Sequence, residues 1–260
     1  MAIDEAMFRV AQGRKMPPTL RLYGWERPAV SLGYFQDIKK EVDIEACRHR
    51  QIPIVRRPTG GKAVLHEGDM TYAVIAGERN SLFPTDILGT YRIISGCIAQ
   101  GLASLGIEAD MAADSRVLEG DSLKASCFSS PSRYELLVRN RKICGSAQVR
   151  SRGVFLQHGS ILMDFDPFKT CEVLLPHSKD GEGQAALLKQ SVTSILEQAG
   201  SSVDIQAVCR MVTAGFEKTL GIELAEGVLS PEERALKARL LTCKYMNAGW
   251  NMEGGCKAWI

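Results

Sequence analysis

The 260-residue chain has no uninterrupted apolar run near the roughly 18 residues that a membrane-spanning helix needs, so its sequence offers no transmembrane segment. Met1 to Gly13 carries Asp4, Glu5 and Arg9 among apolar neighbours, a pattern of an amphipathic helix rather than a secretory signal. The expectation is a cytoplasmic protein with no membrane partner. Eight cysteines, at 47, 97, 127, 144, 171, 209, 243 and 256, include no CxxC pair and no zinc-finger spacing. No disulfide framework is therefore expected and no metal is assigned. Neither GxGxxG nor GxxxxGK[ST] occurs, which removes the dinucleotide fingerprint and the Walker loop. A formal net charge of +2 argues against bulk nucleic-acid binding, and the absence of low-complexity tracts and internal repeats argues against disorder and solenoids.

Hydrophobic residues at 45% and charged residues at 24% are ordinary for a folded globule and suffice for a sizeable core. The patterning predicts a helix over 1–12, strands over 19–25 and 29–34, one helix over 38–50 with Asp37 as N-cap, and an extended segment over 52–57. Strands over 63–66 and 70–76 follow, joined by the turn Glu67-Gly68-Asp69, and then a helix over 86–105. Three alternating segments, 134–138, 142–149 and 154–163, have hairpin-length links and read as an antiparallel meander. From about Leu187 the pattern is helical, including 205–220 and 231–245. The order predicts an α+β fold with a catalytic domain over 1–185 and a helical C-terminal extension over 186–260 packed on it.

Four segments have room for chemistry. Residues 56–66 (RRPTGGKAVLH) combine Arg56, Arg57 and Lys62 with the glycine pair Gly60-Gly61 and end on His66. Such a loop suits an anionic or acyl-carrying group held against backbone N–H groups; a hairpin turn bearing surface arginines is the other reading. In residues 142–147 (KICGSA), Gly145, Ser146 and Ala147 leave space along a strand, for a ligand or for close packing on a helix. Cys127 lies in the turn-rich segment 125–132, where either a reactive or an inert thiol fits. His158, Gly159 and Ser160 again open a strand surface, with His158 either a wall of a site or a satisfied core histidine. Basic residues cluster at 48–57 and at 139–152, as solvated surface or as a patch for an anionic partner.

Taken together, the blocks 56–66, 125–136 (ASCFSSPSRYEL), 141–148 (RKICGSAQ) and 156–161 (LQHGSI), with 20–25 and 31–36, resemble the lipoate/biotin protein ligase and acyltransferase superfamily. The cysteine block points within it to octanoyltransferases of the LipM type. The resemblance implies a central mixed or antiparallel sheet flanked by helices. It implies transfer of octanoyl from acyl carrier protein to a lysine of a lipoyl domain, typically the glycine-cleavage H protein, without cofactor, by a monomer that binds no nucleic acid. Cys127 matches the residue that carries the acyl thioester, and Lys142 the residue that lowers that thiol's pKa. Arg57, Gly60, Gly61, His66, Gly145, Ser146, Ala147, His158, Gly159 and Ser160 match substrate-binding walls. Members of the family usually have a further strand upstream of the segment that here begins Met1-Ala2-Ile3, so the expectation at one sheet edge is either that this strand is absent or that the start is misplaced.

The implied chemistry is physically adequate. A free cysteine is only a few per cent thiolate at pH 7. An ammonium about 4 Å away, at an effective dielectric near 20, favours the thiolate by roughly 4 kcal/mol before screening. Burying an octanoyl tail contributes on the order of 5 kcal/mol, and basic clusters would steer acidic carrier proteins. The competing reading is an ATP-dependent lipoate–protein ligase, which shares the glycine loop and needs no nucleophilic cysteine. A non-catalytic module gripping acidic proteins through Arg56, Arg57, Arg150 and Arg152 would need neither thiol nor lysine.

Overall fold

The computed structural model describes residues 1–14, 16–112, 135–174 and 180–254. Helix α1 (Ala2–Ala11) precedes strands β1 (Thr19–Tyr23) and β2 (Ala29–Leu32). Short helices α2 (Ile38–Glu41) and α3 (Ile44–His49) lead to β3 (Ile54–Arg56), β4 (Val64–His66) and β5 (Asp69–Gly77). Helix α4 (Ile87–Ala103) is followed by β6 (Asp110–Met111), β7 (Leu136–Val138), β8 (Arg141–Ser151) and β9 (Val154–Leu162). Helices α5 (Pro167–Leu174), α6 (Gly181–Ser191), α7 (Ile195–Ala199), α8 (Ile205–Leu220) and α9 (Pro231–Leu240) complete the order with two π-helical turns, Leu241–Tyr245 and Gly249–Glu253.

The expected α+β architecture is present as two sheets. Six antiparallel strands run in the order β1-β5-β9-β8-β7-β6, with β1 at one edge. A smaller mixed sheet has β2 between parallel β3 and antiparallel β4. Residues 63–66 and 69–77 thus do not pair with each other: the tight turn at Gly68 sends consecutive strands into different sheets, which places the small sheet over one end of the large one.

Two differences from the sequence expectations have local causes. The single helix expected over 38–50 is two, because Val42 is extended and Asp43 caps the second helix by accepting from the Ala46 N–H at 2.8 Å. The Asp43 N–H meanwhile donates to Val173 O at 2.8 Å, a tertiary bond that no local pattern encodes. Strand β7 is out of step with β8 at Leu136/Leu137, so Leu136 faces Cys144 while Leu137 faces Lys142. This bulge brings the Lys142 side chain towards Gly145, against the usual alternation of faces.

One face of the large sheet carries Met70, Tyr72, Val74, Cys144 and Ile161 against Ile94, Ile98 and Leu102 of α4 and Val208, Val212 and Phe216 of α8. Each fully buried aliphatic side chain there contributes about 2 kcal/mol. The opposite face is shared: Met7, Phe8 and Ala11 of α1 cover Ala73, Ile75 and Leu156, and the small sheet approaches the remainder.

Candidate active site

Between the small sheet and the uncovered end of the large one lies a cavity of about 140 Å³. The register explains its walls. Thr71, Ser160 and Gly145 align across β5, β9 and β8, and Ala73, His158 and Ala147 form the next row. These residues are small or polar where the other face is large and apolar. Opposite them stand Ser31 of β2, Val64 and His66 of β4, and Arg57, Gly61 and Lys62 of the β3–β4 connection.

Arg57 builds that connection. It is buried; Nη1 donates to Ser31 O at 2.9 Å and Ser31 Oγ at 2.8 Å, and Nη2 to Gly60 O at 3.0 Å and Lys62 O at 2.8 Å. Gly61 sits at φ +90°, which L side chains rarely adopt. Its carbonyl oxygen lies 1.9 Å from where a Cβ on Gly33 would be, so both residues must be glycine for β2 and the loop to touch.

Arg56 does not belong to a surface patch. It is 1% exposed: Nη1 donates to the carbonyls of Gly33, Tyr34 and Gln36, Nε donates to Trp250 O, and Trp250 Nε1 returns a bond to Arg56 O. With Arg57 equally inward, the basic cluster over 48–57 shrinks to Arg48, His49 and Arg50 at the surface. Arg48 pairs with Glu45 at 2.7 Å, and Arg50 Nε with Glu172 at 2.8 Å. Arg150 is also committed, to the carbonyls of Thr85 and Asp86 and to Thr90 Oγ1. Burial with carbonyl acceptors, not solvation, explains Arg56, Arg57 and Arg150.

Lys142 and Glu135 form a buried ion pair at 2.7 Å. Glu135 lines the cavity, and the sequence alone did not single it out, although it lies just before the β7–β8 hairpin whose turn is Arg139-Asn140. A Cβ on Gly145 would lie 2.9 Å from Lys142 Cε and 3.1 Å from Nζ. The missing side chain is the space that the ammonium occupies.

His158 accepts or donates a 2.6 Å bond with Thr59 Oγ1, and burial with the nearby Arg57 charge pushes its pKa down to about 3. It is a neutral wall at working pH. His66 is held by four neighbours: Asp69 Oδ2 at 2.9 Å and Ser160 Oγ at 3.3 Å from Nδ1, Ser31 Oγ at 2.7 Å from Nε2, and the Trp25 ring stacked on it at 4.1 Å. Cys144 lies on the opposite face, paired with Ile161, and burial pushes its thiol up to about 12.

Nine of the residues expected at the site therefore line one cavity: Arg57, Gly61, His66, Gly145, Ser146, Ala147, His158, Gly159 and Ser160. Gly60 adjoins it through its bond to Arg57, and Lys142 stands behind its wall. Cys127 lies outside the described residues. Sequence reasoning passed over Ser31, Thr71 and Glu135, which carry no glycine or basic signature. Among the described residues no group of three or more histidines, cysteines and carboxylates could hold a metal ion, and no helix is long and apolar enough to cross a membrane.

Comparison with known proteins agrees with this geometry. The family model of the lipoyl protein ligase A/B catalytic domain matches residues 1–217. Octanoyltransferase LipM of Kyrpidia tusciae is 41% identical over 255 residues, covering 96% of this chain and 93% of the relative. That of Bacillus subtilis is 40% identical over 256 residues, with 96% and 92% covered. Among solved structures, a bi-partite lipoate protein ligase from an archaeal lipoylation system of Thermoplasma acidophilum superposes with a TM-score of 0.81 at 28% identity, covering 100% of this chain and 92% of the other. A lipoate-protein ligase A bound with ATP gives 0.77 at 28% identity, covering 96% and 92%. With a relative this similar along almost its whole length, the chain belongs to the LipM octanoyltransferase family, within the lipoyl protein ligase A/B catalytic-domain fold.

Proposed function

We propose that this acyltransferase moves octanoyl from acyl carrier protein to a lysine of a lipoyl domain, such as the glycine-cleavage H protein, through a thioester on Cys127. The observation that carries the reading is the Lys142–Glu135 pair at the wall of a cavity lined by the glycine loop and the open strand surface. The described residues on either side of 113–134 are joined directly, the Ala112 N–H donating to Glu135 O at 2.9 Å. Cys127 is eight positions from that cavity-lining carboxylate.

The thiol is the nucleophile and Lys142 favours its thiolate form. Glu135 tempers that effect, since a paired ammonium acts at a distance as a dipole rather than a full charge. The other cysteine nearby supports the assignment by its unsuitability: a thiol with a pKa of about 12 on the core face is protonated at neutral pH. Thioester-to-amide transfer is downhill, so the reading requires neither ATP nor metal. The six described cysteines are free thiols, which suits a reducing compartment such as the cytoplasm.

The experiment offers octanoyl–acyl carrier protein without ATP and follows intact mass. The expected result is an octanoyl adduct mapped to Cys127, absent in Cys127→Ala and retained in Cys144→Ala. The fold likeness to an ATP-bound ligase motivates the second arm. If wild type transfers octanoic or lipoic acid only after ATP is added and forms no thioester, the ligase reading replaces this one.

A further inference from the structure

The cavity contains a hydrogen-bonded array that the thiol and lysine do not use. Asp69 Oδ2 is 2.9 Å from His66 Nδ1, and His66 Nε2 is 2.7 Å from Ser31 Oγ. Ser31 and His66 both line the cavity, and all three residues are at least nine-tenths buried. The donors are settled by their partners. Arg57 Nη1 only donates, so Ser31 Oγ accepts from it at 2.8 Å and turns its own proton elsewhere. An ionised Asp69 only accepts, so Nδ1 carries the ring proton and Nε2 accepts from the Ser31 hydroxyl. One Ser31 lone pair remains available. The Trp25 indole stacks on the imidazole and donates to Thr71 Oγ1 at 2.8 Å, which donates to Asp69 Oδ2 at 3.2 Å. The second carboxylate oxygen, Asp69 Oδ1, is buried with no hydrogen-bond partner among the described atoms. A buried, half-satisfied carboxylate is costly for a purely structural pin and suits one that faces a transient positive charge.

We propose that Asp69, His66 and Ser31 form the proton-accepting relay for the amine that takes the acyl group. The proposal rests on the acyl-enzyme reading above and assigns the base for its second half. The acceptor lysine enters as the ammonium and gives one proton to Ser31 Oγ as the Ser31 proton passes to His66 Nε2. The neutral nitrogen then forms the C–N bond and the C–S bond breaks, leaving the electron pair on the Cys127 sulfur, which takes the second proton of the nitrogen. The imidazolium, facing Asp69, returns its proton to solvent. The charged and titratable groups facing the ring are Asp69 of β5, the Arg57 guanidinium across Ser31, and neutral His158 of β9, with Asp4 beyond it.

The test separates the halves. Acyl-enzyme is prepared from octanoyl–acyl carrier protein, isolated, and mixed in single turnover with either a lipoyl domain or hydroxylamine. Hydroxylamine is already neutral at pH 7 and needs no relay. Asp69→Asn preserves shape but presents an amide N–H to Nδ1, which forces the ring proton onto Nε2 and blocks its acceptance from Ser31. The expected result is loss of about 10²-fold in transfer to the lipoyl lysine at pH 7. That loss should shrink as pH rises towards the amine's own pKa, with hydroxylamine cleavage near the wild-type rate. Ser31→Ala, which leaves the Asp69–His66 pair in place, should behave alike. An unchanged lysine rate, or an equal loss with both nucleophiles at every pH, overturns the relay. If wild type forms no acyl-enzyme at all, it is the proposed function that fails.

Discussion

The two faces of the large sheet are built from the same strands to opposite ends. On the helix-packed face, Met70, Tyr72, Val74, Cys144 and Ile161 meet α4 and α8. Its polar atoms are closed among themselves: Tyr72 Oη lies 2.6 Å from Ser146 Oγ and accepts from Gln157 Nε2 at 3.1 Å. One residue along each strand, the other face shows Thr71, Gly145, Ala147, His158 and Ser160 around a cavity. Alternation with a period of two thus separates a stabilising surface from a chemical one, and it sorts the titratable groups as well. The Cys144 thiol on the packed face is pushed out of the working pH range, while the buried groups of the cavity face are held in polar pairs.

The sharpest contrast is in the response to acid. With the His158 pKa pushed down to about 3, the unfolded chain takes up a proton between about pH 6.5 and 3 that the native protein does not. Stability therefore rises with pH across that window and is lost on acidification, by up to about 1.4 kcal/mol per pH unit from this one group. His158→Gln removes this contribution. Denaturant midpoints of wild type and variant, compared from pH 6.5 to 4.5, are expected to converge as pH falls by the equivalent of about 2 to 3 kcal/mol. Cys144→Ala, on the other face, is expected to keep the wild-type slope and lose only about 1 kcal/mol at every pH. Parallel slopes for wild type and His158→Gln would erase the electrostatic difference between the faces.

Most of the cavity was legible because its signals are local. Gly60-Gly61, Gly145 to Ala147 and Gly159-Ser160 interrupt otherwise bulky strands, and antiparallel pairing brings such interruptions into one row. The antiparallel meander over β7 to β9 is legible for the same reason. What escaped depends on residues distant in sequence. Arg56 looks like a surface cation until carbonyls from 33–36 and from Trp250 surround it. The break at Asp43 reflects a bond to Val173. Asp69 reads as a turn residue, because nothing near it announces that β4 and β5 diverge into separate sheets and leave His66 between it and Ser31.

The Lys142–Glu135 pair sharpens the comparison by charge rather than pH. Removing the ammonium from beside a buried carboxylate is expected to cost about 3 kcal/mol, more than the volume lost in Lys142→Met would suggest. In a double-mutant cycle, Glu135→Gln should recover most of that loss, because the neutral amide no longer needs a cation. Cys144→Ala should show no such coupling to Glu135→Gln, since a protonated thiol carries no charge to respond. Additivity of the Lys142 and Glu135 changes, read from urea midpoints, would show that the pair contributes packing alone.

The smallest structural change addresses the cavity face directly. Gly145 is followed on its strand by Ser and Ala, and its own Cβ is excluded only by the end of the Lys142 side chain, 2.9 Å away at Cε. That end is flexible, so Gly145→Ala is expected to fold with a loss below about 1 kcal/mol and a Cβ seated in the cavity wall. The ammonium must retreat by several tenths of an ångström, away from the position set by Glu135. Misplacement on that scale is costly for chemistry, and acyl-enzyme formation should slow by about ten- to a hundredfold. Stability and rate separate here because they belong to different faces: the helices behind Met70 and Tyr72 do not sense the new methyl group, whereas the charge beside the cavity does. A Gly145→Ala protein that acylates at the wild-type rate would mean that the position of Lys142 does not set the reactivity of the thiol.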